Sequence, residues 1–203
     1  MIKDLKLAVY LDEAGEDINT ACSSLKKHSI NYVAIKNVWD RNICDVDDSV
    51  CASIRSTLTK NSISVVAIIS EIGISPLSQL SKISDKQITR AFNIASYFGA
   101  AYIRFGIGTK SNEPISMDTI NKWMQKISDR CVDSSITPVL EITNDTIIDG
   151  TVGLAQLLVT HKKWKLLYDP AQFVMHRKQE PFTKYWTLLK SSVVAVDVRD
   201  YKI

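Results

Sequence analysis

One strand–helix–strand unit decides the fold, residues 64–105: SVVAIISEIGISPLSQLSKISDKQITRAFNIASYFGAAYIRF. The pattern predicts a strand at Ser64–Ser70, a helix at Ser84–Phe98 with a capping box at its start, and a second strand at Ala101–Phe105. Gly99 suits the C-cap of that helix. Both strands are short and almost continuously apolar, which is typical of strands buried on both faces. The unit therefore predicts a parallel sheet covered by helices.

The same alternation runs along the whole chain and predicts about seven strand–helix periods. The sequence lacks the glycine-rich turn of dinucleotide-binding folds and the phosphate loop of nucleotide hydrolases. We therefore predict an α/β fold of the (β/α) TIM-barrel type, which is incomplete because an eighth strand is missing. We expect residues 1–203 to form one such domain, truncated at its C-terminus. The other predicted strands are Leu7–Leu11, Tyr32–Val38, Pro138–Ile142, Lys165–Tyr168 and Val193–Val198, and the other predicted helices are Asp17–His28, Asp47–Lys60, Ser116–Val132, Thr151–His161 and Pro181–Leu189.

Composition excludes several classes of protein. The chain has 203 residues, 45% of them hydrophobic and 23% charged. This is an ordinary globular balance. A net charge of +3 is too even to favour a nucleic-acid or membrane partner. No apolar stretch has the roughly 20 residues of a membrane span, so we expect a cytoplasmic protein. The four cysteines have no metal-ligand spacing, and we expect reduced, mostly buried thiols.

Three carboxylates lie at equivalent positions of successive predicted strands. Glu141, Asp169 and Asp197 are equally spaced in the sequence, and each step is one strand–helix period. The C-terminal ends of barrel strands share one rim, so these side chains are expected to converge. Converging carboxylates repel one another unless a partner compensates them, and a hard cation such as Mg²⁺ or Mn²⁺ prefers oxygen ligands. The structural alternative is that each carboxylate caps the following helix or pairs with a nearby cation.

Three further residues at this rim are candidate substrate contacts. Lys36 and Arg104 end the second and fourth predicted strands, and each can grip an anionic substrate group or neutralise Glu141. Trp39 follows the second strand and can cover a sugar face, or can pack under its loop. The residues alone leave these alternatives open.

Four segments of the chain form a recognisable series, namely residues 31–43 (NYVAIKNVWDRNI), Leu140-Glu141, residues 167–172 (LYDPAQ) and residues 194–202 (VAVDVRDYK). Together they resemble the sugar phosphate isomerases/epimerases of the xylose-isomerase-like TIM-barrel superfamily. The second resembles the strand-five glutamate of the family, the third its D-P-x-N turn, and the fourth its strand-seven motif H-[IV]-K-D. The resemblance extends over essentially the whole chain.

The resemblance implies a divalent metal held by a glutamate, an aspartate, a histidine and a second glutamate from strand eight. Glu141 and Asp169 carry over, Asp197 stands in the histidine position, and Ala34 stands where an acid is common. The family's chemistry is proton transfer next to a carbonyl, which implies an isomerase, epimerase or related dehydratase acting on a small sugar, sugar phosphate or inositol-like substrate. Glu141 would be the catalytic base and a ligand. We also expect Gln172 and Arg199 to contact the substrate.

The departures from the family pattern leave three interpretations open. The chain is a piece of a longer protein, or a second subunit supplies the missing element; a homodimer joined through the first or seventh strand would favour the third interpretation. Otherwise it is a degenerate relative that has lost the metal and serves as a ligand-binding or interaction protein. A related branch cleaves DNA with a zinc cluster held by many histidines. The three scattered histidines here argue against that activity.

Overall fold

The computed structural model describes residues 5–38, 40–109, 116–132, 134–142, 151–177 and 185–198. Short strands alternate with helices along this part of the chain, as the hydrophobic pattern predicts. The strands are β1 (Ala8–Tyr10), β2 (Tyr32–Ile35), β3 (Asn37–Val38), β4 (Arg41–Asn42), β5 (Ser64–Ile69), β6 (Tyr102–Arg104), β7 (Thr137–Glu141), β8 (Lys165–Tyr168) and β9 (Val193–Val196). The helices are α1 (Ile18–Lys27), α2 (Asp48–Lys60), α3 (Leu77–Leu80), α4 (Asp85–Phe98), α5 (Met117–Arg130), α6 (Thr151–Thr160), α7 (Pro170–Arg177) and α8 (Trp186–Leu189).

Seven of these strands belong to one parallel sheet with the order β1-β2-β5-β6-β7-β8-β9. Each neighbour in this order is the next sheet strand along the chain, which is the connectivity of (β/α) units with crossover helices. The expected α/β fold of an incomplete TIM barrel with seven parallel strands is thus confirmed. In the part of the chain that the structure describes, every helix is too short or too polar to span a bilayer.

The chain divides into two compact units. The described residues of the first lie within 1–70 and 89–103. Its interior is formed by strand residues such as Ile35 and Ile68, neither of which is exposed to solvent, and by the apolar faces of α1 and α2. Arg90 of α4 forms an ion pair with Asp48 of α2 and donates to the carbonyl of Val46 at 2.7 Å.

The described residues of the second unit lie within 71–88 and 104–198. Two buried indoles connect its elements through hydrogen bonds. Trp123 Nε1 donates to the Gly106 carbonyl at 2.8 Å, and Trp164 Nε1 donates to the Met124 carbonyl at 3.0 Å. Since a buried N–H without a partner is costly, these bonds fix α5 and the residues before β8 relative to the end of β6.

The structure differs from the predicted pattern in the second strand region. The predicted strand Tyr32–Val38 breaks at Lys36, and β3 then pairs antiparallel with β4 in a separate two-stranded ribbon. Asn42 stabilises this ribbon because its Nδ2 donates to the carbonyls of Lys36 at 3.0 Å and Ile69 at 2.9 Å. Because the ribbon depends on a polar side chain, the hydrophobic periodicity of the sequence does not predict it.

Two helices, α3 and α7, were absent from the sequence prediction. Of the predicted helix Pro181–Leu189, only the part from Tyr185 onward lies within the described residues. All four cysteines are buried, as expected.

Candidate metal centre

The three carboxylates lie at the C-terminal ends of adjacent strands in the second unit. Glu141 is the last residue of β7, Asp169 follows β8, and Asp197 follows β9. Tyr168 and Val196 are partners in the β8–β9 register, so the two aspartates that follow them are neighbours across these strands. The backbone N–H of Asp197 donates to the Tyr168 carbonyl at 2.9 Å, which continues the pairing beyond β9.

The three side chains converge. Each offers one carboxylate oxygen, and these three oxygens all lie within 4.8 Å of one another. Glu141 is 9% exposed, Asp169 is 1% exposed, and Asp197 is half-buried. Three acidic groups brought so close in a largely buried place need compensating positive charge.

The donor set fits a hard divalent cation. Carboxylate oxygens are ligands that Mg²⁺ and Mn²⁺ prefer over softer ligands. Bonds of about 2.1 Å separate adjacent ligands of an octahedral Mg²⁺ site by about 3.0 Å and opposite ligands by about 4.2 Å, so oxygens that lie within 4.8 Å of one another would have to approach by at most about 2 Å to share one ion. Glu141, Asp169 and Asp197 are therefore the residues of the described chain that would hold such an ion.

Arg104 lies against this cluster. It is the last residue of β6 and is 6% exposed, and its Nη1 donates to Glu141 Oε2 at 2.9 Å. Of the two interpretations of Arg104, the structure shows the contact with Glu141. With this guanidinium included, the four charged side chains carry a formal net charge of −2, which a divalent cation would balance.

Asp169 also has a local structural role. Its Oδ1 accepts from the backbone N–H of Ala171 at 2.9 Å, and α7 begins at Pro170. A proline at the first helical position after a capping aspartate is a common helix start. This hydrogen bond orients the Asp169 carboxylate. The Asp-Pro dipeptide is the sequence signal for such a helix start.

The other predicted substrate contacts have different positions. Gln172 is half-buried near the start of α7 in the second unit. Lys36 is half-buried and follows β2 in the first unit. Trp39 and Arg199 lie outside the described residues. The structure therefore brings Arg104 together with the three carboxylates.

A close approach of two backbone segments was missed by the sequence prediction. Gly106 and Gly108, just beyond β6, donate to the carbonyls of Ile72 at 2.9 Å and Gly73 at 2.8 Å. A Cβ built on Gly106 would lie 2.2 Å from the Gly73 carbonyl oxygen, so only glycine allows this contact. The Gly-x-Gly spacing soon after Arg104 is the signal that could have indicated it.

Solved structures share this fold at low sequence identity. A xylose isomerase-like TIM barrel protein from Mycobacterium smegmatis, in complex with magnesium, is similar with a TM-score of 0.73 and 14% identity over 97% of this chain and 75% of that one. A 3-keto-D-glucoside 4-epimerase from E. coli has a TM-score of 0.72 and 11% identity over 95% of this chain and 78% of that one. An AP endonuclease, family 2, from Brucella melitensis has a TM-score of 0.69 and 12% identity over 94% of this chain and 78% of that one.

The comparisons at the level of sequence gave no match. No protein-family model matches the chain, and no curated protein matches it. Since the structural similarity extends over nearly the whole chain, it defines the fold. The chain has the fold of the xylose-isomerase-like TIM barrels, the structural group that includes sugar phosphate isomerases/epimerases.

Proposed function

We propose that the protein is a divalent-metal-assisted isomerase, epimerase or related dehydratase that moves a proton next to the carbonyl of a small sugar, sugar phosphate or inositol-like substrate. The observation that carries this proposal is the convergence of three carboxylate oxygens within 4.8 Å of one another at the ends of β7, β8 and β9. In barrels of this kind, functional groups lie at the C-terminal ends of the strands. The described fold is also shared with a sugar epimerase and with a magnesium complex.

Glu141 is the residue that we assign as the base. A carboxylate at the end of a buried strand, close to two further acids, can accept a proton from a carbon next to a carbonyl. Bound at these carboxylates, Mg²⁺ or Mn²⁺ would supply Lewis-acid polarisation of the carbonyl and hydroxyl oxygens of the substrate. Asp169 and Asp197 complete the ligand set, and the Asp169–Ala171 hydrogen bond holds one of these ligands in orientation.

The single base limits the reactions available to the described residues. Removal of a proton by Glu141 and its return to the neighbouring carbon is sufficient for isomerisation. In a dehydration, Glu141 would remove the proton of the acidic carbon, the C–O bond of the neighbouring carbon would break, and the hydroxide would leave with that proton as water. Inversion by two bases needs a second carboxylate on the opposite face, which is the role of the strand-eight glutamate that the resemblance implies. The described residues that we assign are therefore sufficient for isomerisation or dehydration.

One observation favours a second candidate function. Glu141, the proposed base, is already in a buried ion pair with Arg104. An acid that is held in this way can serve to bind a ligand without turning it over. A non-catalytic sugar-binding or interaction protein is therefore the alternative.

Exchange of substrate protons with solvent separates the two candidates. The protein is incubated in D₂O with Mn²⁺ and one of three probes, which are D-fructose, D-fructose 6-phosphate and 2-keto-myo-inositol. Mass spectrometry then measures deuterium at the carbon next to the carbonyl. We expect incorporation that Glu141→Gln abolishes and that Asp118→Asn leaves unchanged, since Asp118 is an exposed residue of α5 paired with Lys122.

Two outcomes would contradict the enzymatic proposal. One is the absence of exchange with every probe although the protein binds Mn²⁺, which would favour the binding protein. The other is exchange that continues at the wild-type rate in Glu141→Gln, which would remove Glu141 as the base.

A further inference from the structure

The buried ion pair between Arg104 and Glu141 affects the charge of the candidate metal centre. Arg104 and Glu141 have side chains that are each 7% exposed, and their atoms Nη1 and Oε2 are 2.9 Å apart. At so short a distance in a place largely closed to water, the guanidinium acts strongly on the charge of the cluster. It also lies close enough to oppose any second positive charge that binds there.

We propose that Arg104 is an internal counter-ion of the carboxylate cluster, which keeps the metal-free protein folded and weakens its affinity for a divalent cation. The proposal rests on the metal site of the proposed function. It assigns Arg104 a role in setting metal affinity, so Arg104 is a positioning residue that acts through Glu141.

Removal of the Arg104 charge should have opposite effects on the stability of the metal-free protein and on its affinity for a cation. Without a cation, the guanidinium compensates part of the repulsion among Glu141, Asp169 and Asp197, so its removal destabilises the folded state. With a cation present, the same guanidinium repels the ion and holds one oxygen of Glu141, so its removal strengthens binding. A residue that only supports the fold would lower stability without strengthening binding.

The arginine is also suited to this role by its chemistry. The planar array of donors of a guanidinium matches the two oxygens of a carboxylate. Its position at the end of β6 is set by the backbone, because the next residue, Phe105, donates its N–H to the Val139 carbonyl of β7 at 3.0 Å. The strand order therefore presents Arg104 to the carboxylate that ends β7.

Two measurements on one variant test the proposal. Mn²⁺ alone is titrated into the wild-type protein and into Arg104→Met, with free Mn²⁺ measured by electron paramagnetic resonance. Thermal unfolding is followed for both proteins in EDTA and at saturating Mn²⁺. We expect Arg104→Met to unfold at a lower temperature in EDTA, to bind Mn²⁺ about tenfold more tightly or better, and to gain more from Mn²⁺ than the wild type does.

The controls separate charge from packing. Arg104→Lys keeps the charge and should bind Mn²⁺ within about threefold of the wild type. Arg90→Met removes an arginine that pairs with Asp48 in the first unit, and it should lower stability with no change in Mn²⁺ affinity.

Each outcome decides a different claim. Mn²⁺ binding by the wild type together with equal or weaker binding by Arg104→Met overturns the counter-ion role and leaves the metal site standing. Absence of Mn²⁺ binding in every protein overturns the metal site itself. If Arg104→Met folds only when Mn²⁺ is present, the proposal is supported, whereas an Arg104→Met that stays unfolded at saturating Mn²⁺ contradicts it.

Discussion

Asp197 places a carboxylate oxygen in the cluster where the family resemblance implies an imidazole. It follows β9, is half-buried, and lies within 4.8 Å of the other two carboxylates by its nearest oxygen. Oxygen ligands favour Mg²⁺ and Mn²⁺, whereas an imidazole shifts preference toward Co²⁺, Ni²⁺ and Zn²⁺. In the proposed metal centre, a carboxylate at this one position would therefore favour hard cations.

Asp197→His tests this preference. We expect the variant to bind Co²⁺ more tightly relative to Mn²⁺ by about tenfold compared with the wild type, because one hard ligand becomes a borderline one. Competition titrations of the two ions measure the ratio. Asp197→Asn is the control, and it should weaken both ions. An unchanged ratio in Asp197→His would show that Asp197 is no ligand.

The sequence predicted the meeting of three carboxylates and left two candidates, Lys36 and Arg104, for the partner of Glu141. Their equal spacing is a property of parallel strands joined by helices, so equivalent positions had to share one end of the sheet. Lys36 and Arg104 looked equivalent by the same argument, since both end strands that lead to this rim. Only three-dimensional packing distinguishes a guanidinium that reaches Glu141. The catalytic and ligand roles themselves stay predictions.

At the scale of elements, the segment after β6 is built around Gly106. Its backbone packs on Gly73, and its carbonyl accepts the indole N–H of Trp123. This arrangement fixes the chain within two residues of Arg104. Backbone contact, as well as side-chain packing, therefore supports the candidate site.

Gly106→Ala should lower the free energy of unfolding by about 2–3 kcal/mol, because the new methyl group would overlap the Gly73 carbonyl. Gly99→Ala is the matched control. Gly99 has a φ of +68° but no atom within 4 Å of a built Cβ. Only the backbone strain of about 1–2 kcal/mol therefore applies to Gly99→Ala. Urea unfolding measures both variants, and a smaller loss for Gly106→Ala than for Gly99→Ala would contradict the close approach.

The residue after α6 makes stability depend on pH. His161 is 7% exposed, and burial lowers its pKa below the usual value of 6.5. Its Nε2 lies 3.0 Å from Asn121 Oδ1, an arrangement in which the neutral ring donates. As the pH falls below about 6.5, His161 binds a proton in the unfolded chain more readily than in the folded state. The free energy of unfolding therefore decreases.

His161→Gln should therefore flatten the loss of stability between about pH 7 and pH 5, by at most about 1.4 kcal/mol per pH unit. Urea midpoints across this range, compared between wild type and variant, measure the difference. Identical slopes in the two proteins would contradict the lowered pKa of His161.

The regular elements could be predicted better than the irregular ones. Strands such as β5 are continuous apolar runs, helices such as α4 show strong hydrophobic periodicity, and both lie close to their predicted positions. The β3–β4 ribbon depends on the hydrogen bonds of one side chain, Asn42, which no period indicates. The helix α7 was missed because Asp169-Pro170 also suits a turn.

At the scale of the whole molecule, the fold alone does not select a reaction. Solved structures with this fold include a sugar epimerase and an AP endonuclease. Function on a shared fold depends on the groups at the site. The candidate metal centre offers carboxylates and an arginine, and the chain as a whole has three histidines and a net charge of +3.

This composition predicts an absence of abasic-site cleavage. A zinc-cluster nuclease needs many imidazole ligands and a basic surface for phosphates. We expect a duplex with one abasic site to stay intact with the protein and Zn²⁺, and fluorescence anisotropy to show no binding at about 0.15 M salt. Strand scission that Glu141→Gln abolishes would contradict the proposed substrate class.

The most direct test of the metal centre is the location of Mn²⁺ in a crystal of the intact protein. Anomalous diffraction at the manganese edge shows where the ion binds, independently of any substrate. We expect one peak within about 2.0–2.6 Å of carboxylate oxygens from Glu141, Asp169 and Asp197. No peak at these three residues at saturating Mn²⁺, or a peak held by other groups, would contradict the central claim.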